Sequence, residues 1–505
     1  MKNQLKIGAI LSYVNILISI IVNLGYTPIM IRLLGQSEYG LYSLIGSLVA
    51  YLSVLDLGLG NTIVRYISKN RAVGDKKFES ELNGLFLVIY SIIGLITLIL
   101  GSVLYFNIGN IFGETLSFDQ IERAKVMMIL LIFNTAISFP LCVFSALMYA
   151  YERFIFLRIF NIISVILKPI IALPFLFIGY GAVTLVVTAT IINIACLSAN
   201  VYYCFKYLNI HFSKGHFEKA FLYEISGYAF FIFLNAIMDK IYWGTGQFIL
   251  GMISGTIQVA IYAIVMQFMN MYIQFSNAIG NILLPKVTMM VGNGATKMEL
   301  TNLMIKIGRV QYIIISYVLI IFFLTGKEFI YLWVGDAYLS AYLMILILMI
   351  GLLIELVQNA GIAILQAMNL NRYRMTVYTI VAVINIFTSV VLAKMYGGLG
   401  CAISTAVALL ISTGLIMNRY YHKRIGIDIP LFWKNIIHMI PSAFILIILV
   451  EIFQMNVSLE YSWLYFAIKV FIYTLIYIIL MYFIGMNGYE KNLCRSAICK
   501  VLRVK

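Results

Sequence analysis

Long apolar segments are the feature that most limits what this chain can fold into. Segments of 20 or more residues are apolar on every face, which is the length and pattern of a helix that crosses a bilayer. Strands of a membrane barrel would instead alternate in polarity over about ten residues. Of the 505 residues, 63% are hydrophobic and 11% are charged, whereas soluble domains are roughly half apolar and a quarter charged. The sequence therefore predicts an all-α integral membrane protein.

Fourteen transmembrane helices are predicted from these segments. Several exceed the roughly 20 residues that a bilayer needs, so we expect tilts or kinks. The first segment, Ile7 to Leu34, is too long for the apolar part of a cleaved signal peptide and is expected to remain as helix 1. The predicted spans are 7–33, 41–67, 82–106, 124–150, 154–178, 181–205, 220–250, 256–288, 302–325, 338–367, 373–396, 398–420, 435–455 and 463–485.

Basic residues are concentrated in every second predicted loop. With the N-terminus inside, the inner loops hold most lysines and arginines, whereas outer loops such as GQSEYG and ISGT are short and poor in base. The segment NIGNIFGETLSFDQIER is predicted as an acidic outer loop. This positive-inside pattern predicts cytoplasmic N- and C-termini. It also explains the net charge of +15, and nucleic-acid binding is not predicted because the bases are spread over many loops.

An internal repeat divides the chain into two six-helix copies, helices 1–6 and 7–12. Because six is an even number, both copies have the same orientation, as in transporters with parallel repeats. The matched positions, at an offset of 220 or 219 residues, are Asn15 with Asn235, Gly35 with Gly255, Tyr42 with Tyr262, Gly60 with Gly280, Asn61 with Asn281, Arg153 with Arg372, Gly179 with Gly398 and Gly181 with Gly400. The predicted domains are an N-terminal lobe 1–215, a C-terminal lobe 216–425, two additional helices 426–485 and a basic cytoplasmic tail 486–505.

Two equivalent lobes predict a cleft that opens to either side of the membrane in turn, which is alternating access. The chain has no GxxxxGK[ST] loop for ATP hydrolysis. Its histidines lack metal-ligand spacing, and no outer loop is long enough to form a catalytic domain. We therefore expect a transporter rather than an enzyme, with no catalytic residue, metal site or cofactor.

Charged residues within the predicted spans are the candidate functional residues, because a charge there costs at least about 2.5–3.5 kcal/mol and usually faces a cavity or bundle interior. Arg32, Lys168 and Lys240 are the cationic candidates. Arg32 is close to the outer end of its helix, so its side chain could instead reach the interface. Lys168 precedes Pro169, where a helix bends. Asp239 and Lys240 either line the cleft or form ion pairs with neighbouring helices.

The stretch LDLGLGNTIVRYISKN, residues 55–70, contains an acidic residue, two glycines and basic residues within or at the end of a predicted span. Gly58 and Gly60 weaken the helix. Arg65 is nine residues from Asp56, on the opposite helix face, so the two cannot pair within one regular helix. Asp56 therefore needs a partner from another helix, water or a proton. Two interpretations remain open: a coupling or hinge segment, or a structural bond between helices.

Charges on the additional helices have a different interpretation. Glu451 and Lys469 lie outside the repeat, so they are predicted to pair with each other or to contact lipid rather than to take part in transport.

The stretches LLGQSEYGLYSL and LDLGLGNTIVRYISK resemble the polysaccharide-export flippase family, the O-antigen (Wzx-type) group of the superfamily that includes multidrug-and-toxin-extrusion (MATE) transporters. The layout of fourteen helices and two lobes agrees with that family along essentially the whole chain. The positions covered by the family motif are Gly35, Tyr39, Gly40, Asp56, Gly58 and Arg65.

The resemblance implies that the protein moves undecaprenyl-diphosphate-linked oligosaccharide from the cytoplasmic to the outer leaflet of the bacterial inner membrane. It also implies that cations in a central cavity meet the diphosphate, a role for which Lys168, Lys240 and Arg32 are candidates although no family motif covers them. The expected partners are this lipid-linked substrate, membrane lipids, and a polysaccharide polymerase and chain-length regulator. The glycan could belong to O-antigen or to another surface polysaccharide.

Two other functions remain open on the sequence. A MATE-like, cation-coupled antiporter that exports a small cationic compound would have a net acidic cleft, but the deep candidates here are of mixed charge. A membrane scaffold for glycan enzymes is the alternative without transport.

Overall fold

The computed structural model describes residues 2–215, 217, 219–368, 370–454 and 462–502. In this part of the chain the regular elements are all helices. The first seven are α1 (Lys2–Ala50), α2 (Leu59–Val73), α3 (Lys76–Phe112), α4 (Phe118–Ala150), α5 (Phe154–Phe177), α6 (Val183–Tyr207) and α7 (Lys219–Ile253). The others are α8 (Gly255–Gly292), α9 (Lys297–Val334), α10 (Ala341–Val357), α11 (Asn359–Ala367), α12 (Asn371–Tyr396), α13 (Gly398–Leu409), α14 (Asn418–Tyr420), α15 (Ile429–Ile437), α16 (Ile440–Gln454), α17 (Trp463–Leu480) and α18 (Gly488–Leu502).

Twelve helical segments of the described chain are long and apolar enough to cross a membrane. The first of them, Ile10–Val73, covers predicted helix 2 and all of predicted helix 1 except residues 7–9. The predicted class, an all-α membrane protein, is therefore confirmed, and the exact number of fourteen spans stays a prediction.

The chain divides into two compact units, Met1–Ala263 and Ile264–Lys505. In the first unit α3, α4 and α6 pack together, α1 packs on α5, and α7 contacts α1, α2 and α3. In the second unit α9 packs on α10, α15 and α17, and α12 packs on α13. The lobe boundary drawn from the repeat, between residues 215 and 216, stays a prediction.

Matching backbone features support the repeat. Gly35, at a kink within α1, and Gly255, at the start of α8, have φ angles of 75° and 76°. Glycine tolerates this region because it lacks Cβ. Helices α3 and α9 have 37 and 38 residues, and each begins at a side-chain cap, Asp75 or Thr296. The side chains of Asn235 and Asn281, two of the matched positions, lie outside the described residues.

The predicted acidic outer loop is wrong in its extent. Helix α3 continues to Phe112 and α4 already begins at Phe118. The Ser117 side chain accepts from the Gln120 N–H, and the Gln120 side chain accepts from the Ser117 N–H, which is a capping box. These reciprocal bonds satisfy two backbone donors and start the helix six residues earlier than predicted.

The predicted alternatives for Lys469, pairing with Glu451 or contact with lipid, are also wrong. Lys469 on α17 donates to Glu328 on α9 at 2.8 Å. Glu328 is 6% exposed, and burying an unpaired carboxylate is costly. Lys469 therefore ties an added helix to the second repeat.

Candidate functional site

Predicted helix 2 is interrupted at its glycines. Helix α1 ends at Ala50, a 3₁₀ turn covers Leu52–Asp56, and α2 begins at Leu59. Leu57 and Gly58 between them have positive φ angles of 52° and 69°. Glycine adopts this conformation without a steric penalty, whereas leucine does not. The break places Asp56 at the end of the turn, immediately before the left-handed pair.

Asp56 is bonded to a different helix. The Tyr90 hydroxyl of α3 donates to Asp56 Oδ1 at 2.6 Å, and Tyr90 is 1% exposed. A Cβ at Gly60 would lie 3.6 Å from Tyr90 Oη, so this glycine is in contact with the pair. The Phe139 ring of α4 packs 6.2 Å from the Tyr90 ring, centroid to centroid. These contacts join the broken helix to α3 and α4.

Arg65 does not join this group. It lies exposed on α2, and in the described part of the chain it forms no ion pair with Asp56. Its guanidinium carbon lies 6.0 Å from the ring centroid of Tyr66, whose hydroxyl donates to Glu224 of α7 at 2.8 Å. This second tyrosine–carboxylate bond connects α2 to α7.

The three cationic candidates lie on different helices. Arg32 on α1 and Lys168 on α5 are exposed, and Lys240 on α7 is half-buried beside an exposed Asp239. The convergence of these groups on one cavity, and the role of Asp239, stay predictions.

A set of contacts joins the helix ends predicted to face outside, and we call it the outer latch: Ser37, Thr115, Gln120, Gly251 and Thr256. Gln120 Nε2 donates to Ser37 Oγ at 2.8 Å, and Ser37 Oγ lies 3.2 Å from Thr256 Oγ1. Thr115 Oγ1 donates to the Gly251 carbonyl at 2.6 Å. The outer latch thus ties α1 and α4, from the first predicted repeat, to the α7–α8 turn of the second.

Glycine makes the close approach at the outer latch possible. A Cβ at Gly40 would lie 1.9 Å from the Thr256 carbonyl oxygen, and a Cβ at Gly251 would lie 2.4 Å from Leu44 Cδ1. The first contact is with backbone, so no side-chain rotation could relieve it. The presence of glycine at position 40 therefore sets how closely these helices meet.

A charged cluster in the second unit is a feature that the sequence interpretation missed. Glu355 at the end of α10 accepts from Tyr378 at 2.9 Å and lies 3.8 Å from Arg374 Nη2, both on α12. Arg374 lies within the predicted span 373–396, three residues after the start of α12. The signal available in the sequence was Arg374 and Tyr378 at i and i+4, which share a helix face.

Solved structures with a similar fold are membrane transporters. The lipid II flippase MurJ, in an inward closed conformation, aligns with a TM-score of 0.72 at 15% identity, over 94% of this chain and 97% of that chain. An inward-facing multidrug resistance MATE family transporter aligns with a TM-score of 0.61 at 14% identity, over 82% and 99%. The fold is therefore that of a multi-helix membrane transporter.

Sequence similarity then gives the family. The model of the family described as "Polysaccharide biosynthesis protein" matches residues 5–291, more than half of the chain. This chain belongs to that family. A "Putative O-antigen transporter" of Shigella flexneri is 22% identical over 404 residues, which cover 77% of this chain and 91% of the relative.

Proposed function

We propose that the protein flips undecaprenyl-diphosphate-linked oligosaccharide from the cytoplasmic to the outer leaflet of the bacterial inner membrane. The polysaccharide biosynthesis family, the name of the Shigella flexneri relative and the flippase-like fold support this substrate class. The glycan serves assembly of O-antigen or another surface polysaccharide. Arg32, Lys168 and Lys240 are the proposed contacts of the diphosphate, because phosphate oxygens accept strong charge-assisted hydrogen bonds from such cations.

The outer latch is the observation that carries the mechanism. It joins α1 and α4 of the first predicted repeat to the α7–α8 turn of the second, so these helices are held together at the end predicted to face outside. Alternating access then requires the outer latch to separate during each cycle. The bonds that must break are a few hydroxyl and amide contacts, each contributing about 0.5–1.5 kcal/mol, which suits a gate that opens repeatedly.

The test compares Gly40→Ala with Gly46→Ala. A methyl group at position 40 would clash with the Thr256 carbonyl, whereas one at position 46 meets nothing within 4 Å. In vesicles that contain lipid-linked oligosaccharide, Gly40→Ala is expected to slow flipping severely. In a Thr256→Cys background it should also raise labelling by an impermeant thiol reagent from outside. Gly46→Ala should change neither result.

Normal flipping and unchanged labelling in Gly40→Ala would contradict the gate mechanism. If the wild-type protein moves no lipid-linked oligosaccharide in these vesicles, the proposed substrate is wrong. Export of a small cationic dye under a proton or sodium gradient would then favour the MATE-like antiporter.

A further inference from the structure

A polar cavity of about 500 Å³ lies within the first unit, at the end predicted to face the cytoplasm. It is formed by the end of α2, the start of α3, the turn after α4 and the connection that follows α6. Its volume is within the range of small-molecule sites. The charged, aromatic and polar side chains of its lining include Arg71, Lys76, Glu79, Asn83, Tyr151 and His211.

The wall formed by the connection after α6 is fixed against α3. Ser213 N–H donates to the Ser80 carbonyl at 3.0 Å, and the two serine hydroxyls lie 2.8 Å apart. A Cβ at Gly84 would lie 2.1 Å from the Ser213 carbonyl oxygen, so glycine allows this close approach. Asn83 Nδ2 also donates to the His211 carbonyl at 3.2 Å. The cavity is therefore built by specific contacts.

Two cations make the cavity suitable for an anion. In the described chain neither Arg71 nor Lys76 pairs with a carboxylate. Arg71 Nη1 donates to the Ala150 carbonyl at 2.6 Å, and its guanidinium carbon lies 3.9 Å from the Tyr151 ring centroid. These contacts fix the guanidinium while leaving other N–H donors, since arginine has five. A phosphate group suits such a fixed cation together with an exposed lysine.

The cavity wall also contains two hydrogen-bond acceptors, the Asn83 amide oxygen and the Glu79 carboxylate. Asn83 is 2% exposed, and among the residues that the structure describes its Oδ1 has no hydrogen-bond partner. Leaving a buried amide oxygen unbonded costs free energy, so a donor from a ligand would be favoured there. The buried Glu79 carboxylate accepts from the Tyr151 hydroxyl. Burial and this bond to Glu79 raise the pKa of Tyr151, which keeps the hydroxyl protonated as a donor.

We propose that this cavity binds a phosphorylated sugar, with the phosphate at Arg71 and Lys76 and a sugar hydroxyl donating to Asn83 Oδ1. Cations at one part of the wall and an unpaired acceptor at another match a ligand with both an anionic group and hydroxyl donors. The ligand's source is either the headgroup of a lipid-linked glycan or a soluble sugar phosphate. Only the first source rests on the proposed function.

Binding is tested with glucose 1-phosphate on the full chain in lipid nanodiscs, measured by equilibrium dialysis of the radiolabelled compound. Lys76→Gln and Asn83→Leu are each expected to weaken binding about tenfold or more, because each removes one of the recognised groups. Lys77→Gln is the matched control, since Lys77 is an exposed neighbour that is absent from the cavity lining. Unlabelled glucose should compete poorly with the radiolabelled compound. Inorganic phosphate should compete, but less well than unlabelled glucose 1-phosphate.

Absence of glucose 1-phosphate binding to the wild-type protein would overturn the proposal. So would equal binding by Lys76→Gln and Lys77→Gln, a comparison that stays valid if Asn83→Leu fails to fold. Competition by a short-chain polyprenyl-diphosphate-linked sugar would identify the headgroup of a lipid-linked glycan as the ligand. If this compound does not compete, the ligand is a soluble sugar phosphate. Glucose 1-phosphate binding requires no flipping, so loss of the proposed transport function and loss of this site are separate results.

Discussion

The two units compensate their membrane-embedded and buried carboxylates with different partners. In the first unit the acids accept from tyrosine hydroxyls; the pairs are Asp56 with Tyr90, Glu79 with Tyr151 and Glu224 with Tyr66. In the second unit they pair with bases; the pairs are Glu328 with Lys469, Glu355 with Arg374 and Glu490 with Arg309. Glu355 also accepts from the Tyr378 hydroxyl, so it has both kinds of partner. The ion pairs of the described first unit, Glu38–Arg123 and Glu122–Lys125, lie at the predicted outer surface, where Arg123 is 55% and Glu122 53% exposed.

This difference separates carboxylates held by cations from carboxylates held by neutral donors. Where a carboxylate is paired with a buried lysine or arginine, removing either partner leaves an uncompensated charge. A carboxylate bonded to a tyrosine hydroxyl has a neutral partner, and removing that partner removes a hydrogen bond rather than an ion pair. The second unit therefore holds the carboxylates whose partners are the most costly to remove.

The largest expected effect is at the buried ion pair of the second unit. Arg309 and Glu490 are each 2% exposed and joined by two bonds, at 2.8 and 2.9 Å. Arg309→Met would leave Glu490 buried without a cation, at a cost of about 3–5 kcal/mol. We expect low abundance of folded protein in membranes and a clearly lower thermal unfolding midpoint in detergent. The control is Arg309→Met combined with Glu490→Gln, which should recover part of the loss. Wild-type behaviour of the single variant would contradict the proposed importance of the pair.

An intermediate loss of stability is expected when a tyrosine that bonds a carboxylate is replaced, and the comparison uses one such tyrosine from each unit. Tyr90→Phe removes the bonded hydroxyl from Asp56, at a cost of about 1–3 kcal/mol. Tyr378→Phe leaves Glu355 near Arg374, 3.8 Å away, and should cost only about 0.5–1.5 kcal/mol. Unfolding midpoints of the two purified variants measure the difference. An equal or larger loss in Tyr378→Phe would break the distinction between the units.

The general fold could be predicted from local patterns in the sequence. Apolar segments predicted the membrane helices, and Gly58 marked the break in helix 2 because glycine alone adopts a positive φ without strain. Helix geometry excluded Arg65 as a partner of Asp56 within one regular helix, and it left another helix, water or a proton as the alternatives. The early start of α4 could also have been predicted, since Ser117 and Gln120 have the spacing of a capping box.

Partners across the bundle could not be predicted in the same way. Glu328 and Lys469 are 141 residues apart, and no local pattern connects them. The segment 486–505 was predicted as a basic cytoplasmic tail, and nothing in its sequence indicated that Glu490 would be buried against Arg309. The outer latch depends on a backbone approach of Gly40 to Thr256, which only the packed helices define. Tertiary packing therefore decides which of many possible partners each polar group meets.

The smallest effect on stability is expected for Asp56→Asn, and this variant tests the first unit's side of the comparison most directly. The amide oxygen can still accept from Tyr90, but it loses the charge-assisted part of the bond, about 1 kcal/mol. Removing a charge from a membrane-embedded position acts in the opposite direction, so abundance should stay near that of the wild type. If Asp56 only joins α3 to the broken helix, as its bond to Tyr90 favours, flipping in vesicles should continue at the wild-type rate with an imposed proton or sodium gradient. Asp56→Ala, which removes the acceptor as well, should lose abundance and flipping together. An Asn variant that stays abundant and binds substrate but no longer responds to the gradient would instead make Asp56 a coupling residue, because only a titrating carboxyl can carry the proton.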